Sequence, residues 1–260
     1  LAMKRRDFLI VGAALGAAGL GALSGCSPTE GAPARAEGGT PGRHWGFVVD
    51  VEKFNRVADM DKIRSVCAQA YNIPSIDDPK EEIKWIWEEP FEDSFADMDE
   101  AYLPDAVKES GVPVLCNHCE EPPCVRVCPT QATFKRKDGI VEMDYHRCIG
   151  CRFCMAACPY GARSLNFSDP AKHLDHVNPD FPTRTRGVVE KCTLCSDRID
   201  RGEAPLCAEA SNGSILFGDL NDPDSDVRRA LAQSFSIRRR ASLGTGPSVY
   251  YVLKGVEEHA

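Results

Sequence analysis

This sequence predicts an α+β fold of repeated small units, in which strands lead into and out of short cysteine runs. Three observations carry that prediction. The cysteines are bunched, and Cys116-x2-Cys119-x4-Cys124-x3-Cys128-Pro129 is answered by Cys148-x2-Cys151-x2-Cys154-x3-Cys158-Pro159. The pattern Cys-Pro-x-x-Ala recurs at Cys128–Ala132 and Cys158–Ala162, so the repeat is internal to the chain. Short β-prone stretches flank the runs: 44–50 ahead of them, a hairpin over 133–142 turned by Asp138-Gly139, and 163–167 and 214–217 leaving later runs.

The spacing of the two complete runs is that of bacterial ferredoxins, the first with two extra residues. Such runs bind iron–sulfur clusters with a crossover, three close cysteines holding one cluster and the fourth reaching across to the other. One [4Fe–4S] cluster is therefore expected on Cys116, Cys119, Cys124 and Cys158, and a second on Cys148, Cys151, Cys154 and Cys128. Cys192-x2-Cys195-x11-Cys207 supplies three more ligands, with Ser211 where a fourth cysteine is due. Cys67 is the remnant of a run whose other positions, at Val57, Met60 and Ile63, or Phe54 if the register shifts, are apolar. By the crossover rule the two defects are one event. Cys192, Cys195, Cys207 and Cys67 complete a third cluster, and a fourth site has lost its ligands.

The fold class expected is thus two ferredoxin-like dicluster units with pseudo-twofold repeats, long insertions and loops. Viewed alone, Cys67 reads as a buried structural thiol. Structural zinc is the alternative for the Cys-x2-Cys pairs, but it draws them from separated turns rather than crowding them before a proline.

A chain of 260 residues has room for one or two domains, and its net charge of −8 argues against nucleic acid and for an acidic face toward a protein partner. Lys4-Arg5-Arg6-Asp7-Phe8-Leu9 is a twin-arginine motif, followed by a Gly/Ala-rich apolar run to Leu23. That run falls short of the roughly 20 strongly apolar residues a spanning helix needs. Residues 1–25 are expected to be a twin-arginine signal peptide, placing the chain on the periplasmic or extracytoplasmic face of the membrane. Leu23-Ser24-Gly25-Cys26 resembles a lipobox, which would put a lipid on Cys26; the alternative is a signal-peptidase site that happens to contain a cysteine. Residues 26–42 read as a flexible Pro/Gly/Ala tether, and 43–260 as the folded domain, with an acidic insertion at about 76–105 and a C-terminal extension at about 219–260. The insertion carries twelve acidic residues over 77–105 against Lys80 and Lys84, with Trp85 and Trp87 inside it. Its tryptophans either pack back on the cluster domain or anchor a partner in an acidic rim. Arg238-Arg239-Arg240 reads as a solvated edge or a contact for a partner or lipid phosphate.

No Gly-rich phosphate loop, haem c attachment motif or nucleophile–base set appears, so electron transfer without a substrate site is expected. Cys116-Asn-His-Cys119 with Pro122-Pro123-Cys124-Val-Arg-Val-Cys128-Pro129 resembles the iron–sulfur electron-transfer subunits of the DMSO reductase family (NrfC, PsrB and relatives). Lys84-Trp-Ile-Trp87, Asp144 to Gly161, Gly187 to Thr193, Phe217-Gly-Asp-Leu220 and Leu243-Gly-Thr-Gly-Pro247 resemble the DsrO branch of that family, found in DsrMKJOP complexes. The resemblance runs from about Trp45 to Val252. It implies a membrane-bound, quinone-linked complex of sulfur metabolism, with an NrfD-like integral membrane subunit (DsrP-like) and a multihaem cytochrome c subunit (DsrJ-like) as partners. The alternatives are the electron-feeding subunit of a periplasmic molybdopterin reductase and, more remotely, a zinc- or disulfide-stabilised exported scaffold.

Overall fold

Each cysteine run lies between two strands, and those strands pair in a cycle. The computed structural model describes residues 38–98 and 103–253. The expected signal peptide, Cys26 and most of the expected tether lie outside the described residues. The strands are β1 (Trp45–Asp50), β2 (Ile86–Pro90), β3 (Gly111–Leu115), β4 (Thr133–Lys135), β5 (Val141–Met143), β6 (Ser164–Leu165), β7 (Val189–Glu190), β8 (Ile215–Asp219), β9 (Ser236–Ile237) and β10 (Val249–Val252). The strand leaving one run pairs antiparallel with the strand entering the next: β2 with β3, β4 with β5, β6 with β7. β8, which leaves the last run, pairs antiparallel with β1, which enters the first, and this closes the cycle. The C-terminal segment adds β10 parallel to β1 and β9 antiparallel to β10, giving a sheet in the order β8-β1-β10-β9.

The fold is mixed helix and sheet, and one hydrophobic core runs from Phe47 through Val114 and Tyr160 to Ile215. The hairpin over 133–142 forms with Thr133 opposite Met143 and Lys135 opposite Val141. Within the two complete runs, the short helices Pro123–Arg126 and Phe153–Ala157 stop just before the Cys-Pro pairs, because proline disfavours helical backbone in the residue before it. Ala132 and Ala162, equivalent in the repeat, are both buried.

The segment that lacks its cysteines folds as two helices. Asp50 and Asp59 cap Val51–Val57 and Met60–Tyr71 by accepting from the Lys53 and Lys62 amides. The second helix ends on Asn72 in the left-handed conformation. Ile63, Cys67 and Tyr71, four residues apart, form its buried stripe, so helical spacing alone turns Cys67 inward.

The stretch expected as an acidic insertion contains β2, which pairs with β3. β2 is the strand that leaves the first run, and Trp85 and Trp87 are only 2% and 7% exposed. Both tryptophans pack back on the core, which removes them as surface anchors for a partner. Arg239 is likewise buried, bridging Glu89 at 2.9 Å and the Ser94 carbonyl at 3.1 Å, so the basic triplet is not a uniformly solvated edge. Among the described residues no helix is long and apolar enough to cross a membrane.

Candidate iron–sulfur sites

The cycle of strands turns its cysteine runs onto three cavities. One is lined by Cys116, Cys119, Cys124 and Cys158 together with Asn117, Tyr160 and Arg163. A second is lined by Cys128, Cys148, Cys151 and Cys154 with Thr133 and Met143. The third is lined by Cys67, Cys192, Cys195 and Cys207 with Tyr71 and Trp85. Each wall carries one of the quartets that the crossover rule assembles, including the pairing of Cys67 with a run more than 120 residues away.

The local backbone explains how. In Cys116–Cys119, Cys148–Cys151 and Cys192–Cys195 the residue before the second cysteine has positive φ: His118 at 41°, Gly150 at 67° and Leu194 at 60°. This left-handed step turns successive N–H groups toward one point, the concavity that receives anions. The Leu194 amide donates to Cys192 Sγ and the Val189 amide to Cys148 Sγ, both at 3.4 Å. At Gly150 a side chain is excluded outright, since a Cβ would lie 2.3 Å from the Gly187 carbonyl oxygen.

The residues present fit an anionic polynuclear group. All twelve described cysteines are free, which leaves the disulfide-linked scaffold without support. No three His, Cys, Asp or Glu side chains among the described residues converge on a single metal position. Four thiols around a hollow suit a cluster better than one zinc ion held at about 2.3 Å. Several buried polar atoms on these walls have no hydrogen-bond partner among the described residues: the Asn117 amide and Arg163 Nη2 at the first cavity, Thr193 Oγ1 at the third. Unpartnered buried donors are costly unless something in the cavity accepts from them. Of the positions where a fourth set of cysteines was expected, Phe54 and Ile63 are buried in the core, Met60 is partly buried against it and Val57 is exposed. The Ser211 hydroxyl donates to the Ala208 carbonyl and accepts from the Ile215 amide, and Asn212 Nδ2 donates to the Val57 carbonyl.

Burial pushes the Cys119 and Cys192 thiols up to about 12, with neighbouring sulfurs adding to the effect. Burial likewise raises Cys67 and Cys207 well above the ordinary thiol range. Iron must therefore displace protons to bind there. Cys128 goes the other way: burial works against it, but donors from Thr133, Thr130 and Ala132 outweigh that and lower its pKa.

Sequence reading missed the second layer of the sites. Tyr71 donates to Asp197 Oδ1 at 2.8 Å and stacks on Trp85 at 5.3 Å. Trp85 Nε1 donates to Glu190 Oε2 at 2.9 Å, and that carboxylate is paired with Arg184 at 2.5 Å, both side chains fully buried. The segment around Thr245 lies over the Cys116 run: the Glu120 and Glu121 amides donate to the Gly246 and Thr245 carbonyls, and the Ser248 amide to that of Asn117. The motif Leu243–Pro247 gave a sequence signal without a physical reason, and this clamp supplies one.

Fold and cavities together define a class, a ferredoxin-type protein with several cysteine-lined centres. Residues 107–172 match the family described as a 4Fe-4S dicluster domain. The chain is 40% identical over 280 residues, covering 98% of this chain and all of the relative, to the Hdr-like menaquinol oxidoreductase iron-sulfur subunit 1 of Archaeoglobus fulgidus. It is 36% identical to the menaquinone reductase iron-sulfur cluster-binding subunit of Nitratidesulfovibrio vulgaris, across 80% of this chain and 88% of the relative. To the B subunit of polysulfide reductase from Wolinella succinogenes it is 40% identical, over 53% of this chain and 64% of that protein. The chain belongs to the family of NrfC- and PsrB-like iron–sulfur electron-transfer subunits of oxidoreductase complexes.

Proposed function

We propose that this chain relays single electrons through three [4Fe–4S] clusters, held by Cys116, Cys119, Cys124 and Cys158; by Cys148, Cys151, Cys154 and Cys128; and by Cys192, Cys195, Cys207 and Cys67. The observation that carries the reading is that each quartet lines its own cavity. When bound, a cluster supplies a one-electron redox centre whose potential is set by charge, hydrogen bonds and exposure. The chain's own residues provide the rest. The left-handed steps aim amides at each cavity, and the core around Phe47, Leu115 and Trp85 keeps water from the third. The second site is near the surface: Cys128, Cys148 and Cys151 are partly exposed, and Ile149 and Phe153 above them are 67% and 59% exposed. At the other end, Cys67 also borders a surface groove with Asp61, Arg64 and Glu82. Two such openings suit a subunit that takes electrons from one protein and gives them to another, with no substrate site of its own.

The setting we propose is a quinone-linked membrane complex of the DsrMKJOP type, on the periplasmic or extracytoplasmic face, beside an NrfD-like membrane subunit and a multihaem cytochrome. Twin-arginine export and a lipid on Cys26 belong to this reading. Two relatives that cover most of the chain bear menaquinol or menaquinone in their names, which supports the quinone link. A second reading, the electron-feeding subunit of a molybdopterin reductase, draws on polysulfide and tetrathionate reductase subunits that match only 53% and 54% of the chain. Iron and acid-labile sulfide in the anaerobically purified chain are expected near twelve of each, about four per [4Fe–4S] site. About sixteen would refute the lost site, and a colourless protein would end the cluster reading.

A further inference from the structure

Among the described residues, five Arg or Lys side chains are buried: Arg136, Arg163, Arg184, Lys191 and Arg239. Three are neutralised within the protein, Arg136 by Asp138, Glu142 and Asp200, Arg184 by Glu190, and Arg239 by Glu89. Arg163 and Lys191 touch no carboxylate. Arg163 donates through Nη1 to Thr133 Oγ1 at 3.2 Å and approaches Met143 Sδ at 3.7 Å, while its Nη2 is buried without a partner. Lys191, 1% exposed, spends its ammonium on two carbonyls, those of Val141 and Cys192. A cation taken out of water without a counter-charge costs far more than hydrogen bonds to neutral oxygens return.

Their positions are specific. Arg163 lines the Cys116 cavity, and its partners Thr133 and Met143 line the cavity of Cys128, Cys148, Cys151 and Cys154. Lys191 bonds Val141, which lines the Cys116 cavity, and Cys192, which lines the third. One unneutralised cation thus stands in each gap between neighbouring quartets, and the Cys116 quartet is flanked by both.

Resting on the three-cluster reading above, we infer that Arg163 and Lys191 are counter-charges built into the two gaps, and that together they make the Cys116, Cys119, Cys124 and Cys158 centre the most readily reduced of the three. Reduction adds one negative charge to a centre, so a fixed cation beside it favours the reduced form, and the middle centre feels both cations. Arg163 and Lys191 are positioning residues; neither is expected to ligate iron.

The test is a redox titration of the full chain, followed by electron paramagnetic resonance and paired with iron analysis, on Arg163→Met, Lys191→Met and the charge-keeping Arg163→Lys and Lys191→Arg. Iron near twelve per wild-type chain, about four per site, comes first; without it the underlying reading fails before any variant is needed. The wild-type centre of highest potential should fall in both Met variants, by about tenfold in its one-electron equilibrium, which is about 59 mV. A second centre should fall only in Arg163→Met and a third only in Lys191→Met, while the charge-keeping variants stay near wild type. Loss of iron in a Met variant with full iron in its charge-keeping partner also supports the inference. Potentials that stay put or rise in the Met variants overturn it, as does equal damage from the charge-keeping substitutions.

Discussion

At Gly150 a single atom decides whether a centre can form. The residue has φ of +67°, and a Cβ would sit 2.3 Å from the Gly187 carbonyl oxygen, which belongs to backbone and cannot swing aside. Gly150→Ala therefore meets a left-handed backbone and a main-chain clash at once. It should open the loop between Cys148 and Cys151 and strip that site alone. If the chain carries the three four-iron sites proposed above, the expected result is a fall of about a third in bound iron, with the other two signals intact by paramagnetic resonance. Full iron in the Ala variant would mean that the loop has slack the structure does not show. His118 and Leu194, at the equivalent places, hold positive φ with their side chains in place, so the glycine requirement is peculiar to this run.

Among elements, β7 is two residues long and joins two regions. Val189 gives its amide to Cys148, and Glu190 receives Trp85, Asn166 and Arg184. Removing that carboxylate leaves a buried guanidinium without its counter-charge and two donors without an acceptor. Glu190→Ala is expected to cost about 3–5 kcal/mol, seen as a lower urea midpoint or lost soluble protein. The double variant Arg184→Met with Glu190→Leu should recover much of it, since two apolar groups leave no buried charge behind; a double variant as poor as the single one would show that shape, not charge, is at stake. This element also marks where sequence reading stopped. Cys67 was legible because the missing cysteines of two runs complement each other, whereas the helix that buries Ile63, Cys67 and Tyr71 on one face was not read from the sequence. β2 was hidden because Glu88 and Glu89 weigh against Ile86 and Trp87 in composition, whereas its role comes from pairing with β3. Arg163, Arg184 and Lys191 carried no signal, because what gives a buried cation its meaning is a partner distant in the chain or a site, never its sequence neighbour.

Across the whole molecule the quartets form a gradient of exposure. All four cysteines at Cys67, Cys192, Cys195 and Cys207 are buried; only Cys158 is partly open at the middle site; and three of four are partly open at Cys128, Cys148, Cys151 and Cys154. The linings follow that order: Phe47, Tyr71, Trp85, Ile86 and Leu115 enclose the third site, while Thr133, Met143 and Val189 of the short β4–β5 and β6–β7 ladders border the second. Oxidant or chelator must reach a centre to dismantle it, so exposure sets the sequence of loss. Under ferricyanide with a strong iron chelator, iron should leave in phases, the first releasing about four of about twelve atoms, one site's worth. That first phase should be missing from Gly150→Ala, which lacks the exposed site already. A first phase that persists in the variant would place the weak point at the groove beside Cys67, where Asp61, Arg64 and Glu82 line the approach. That result would reverse which end of the wire lies open to solvent.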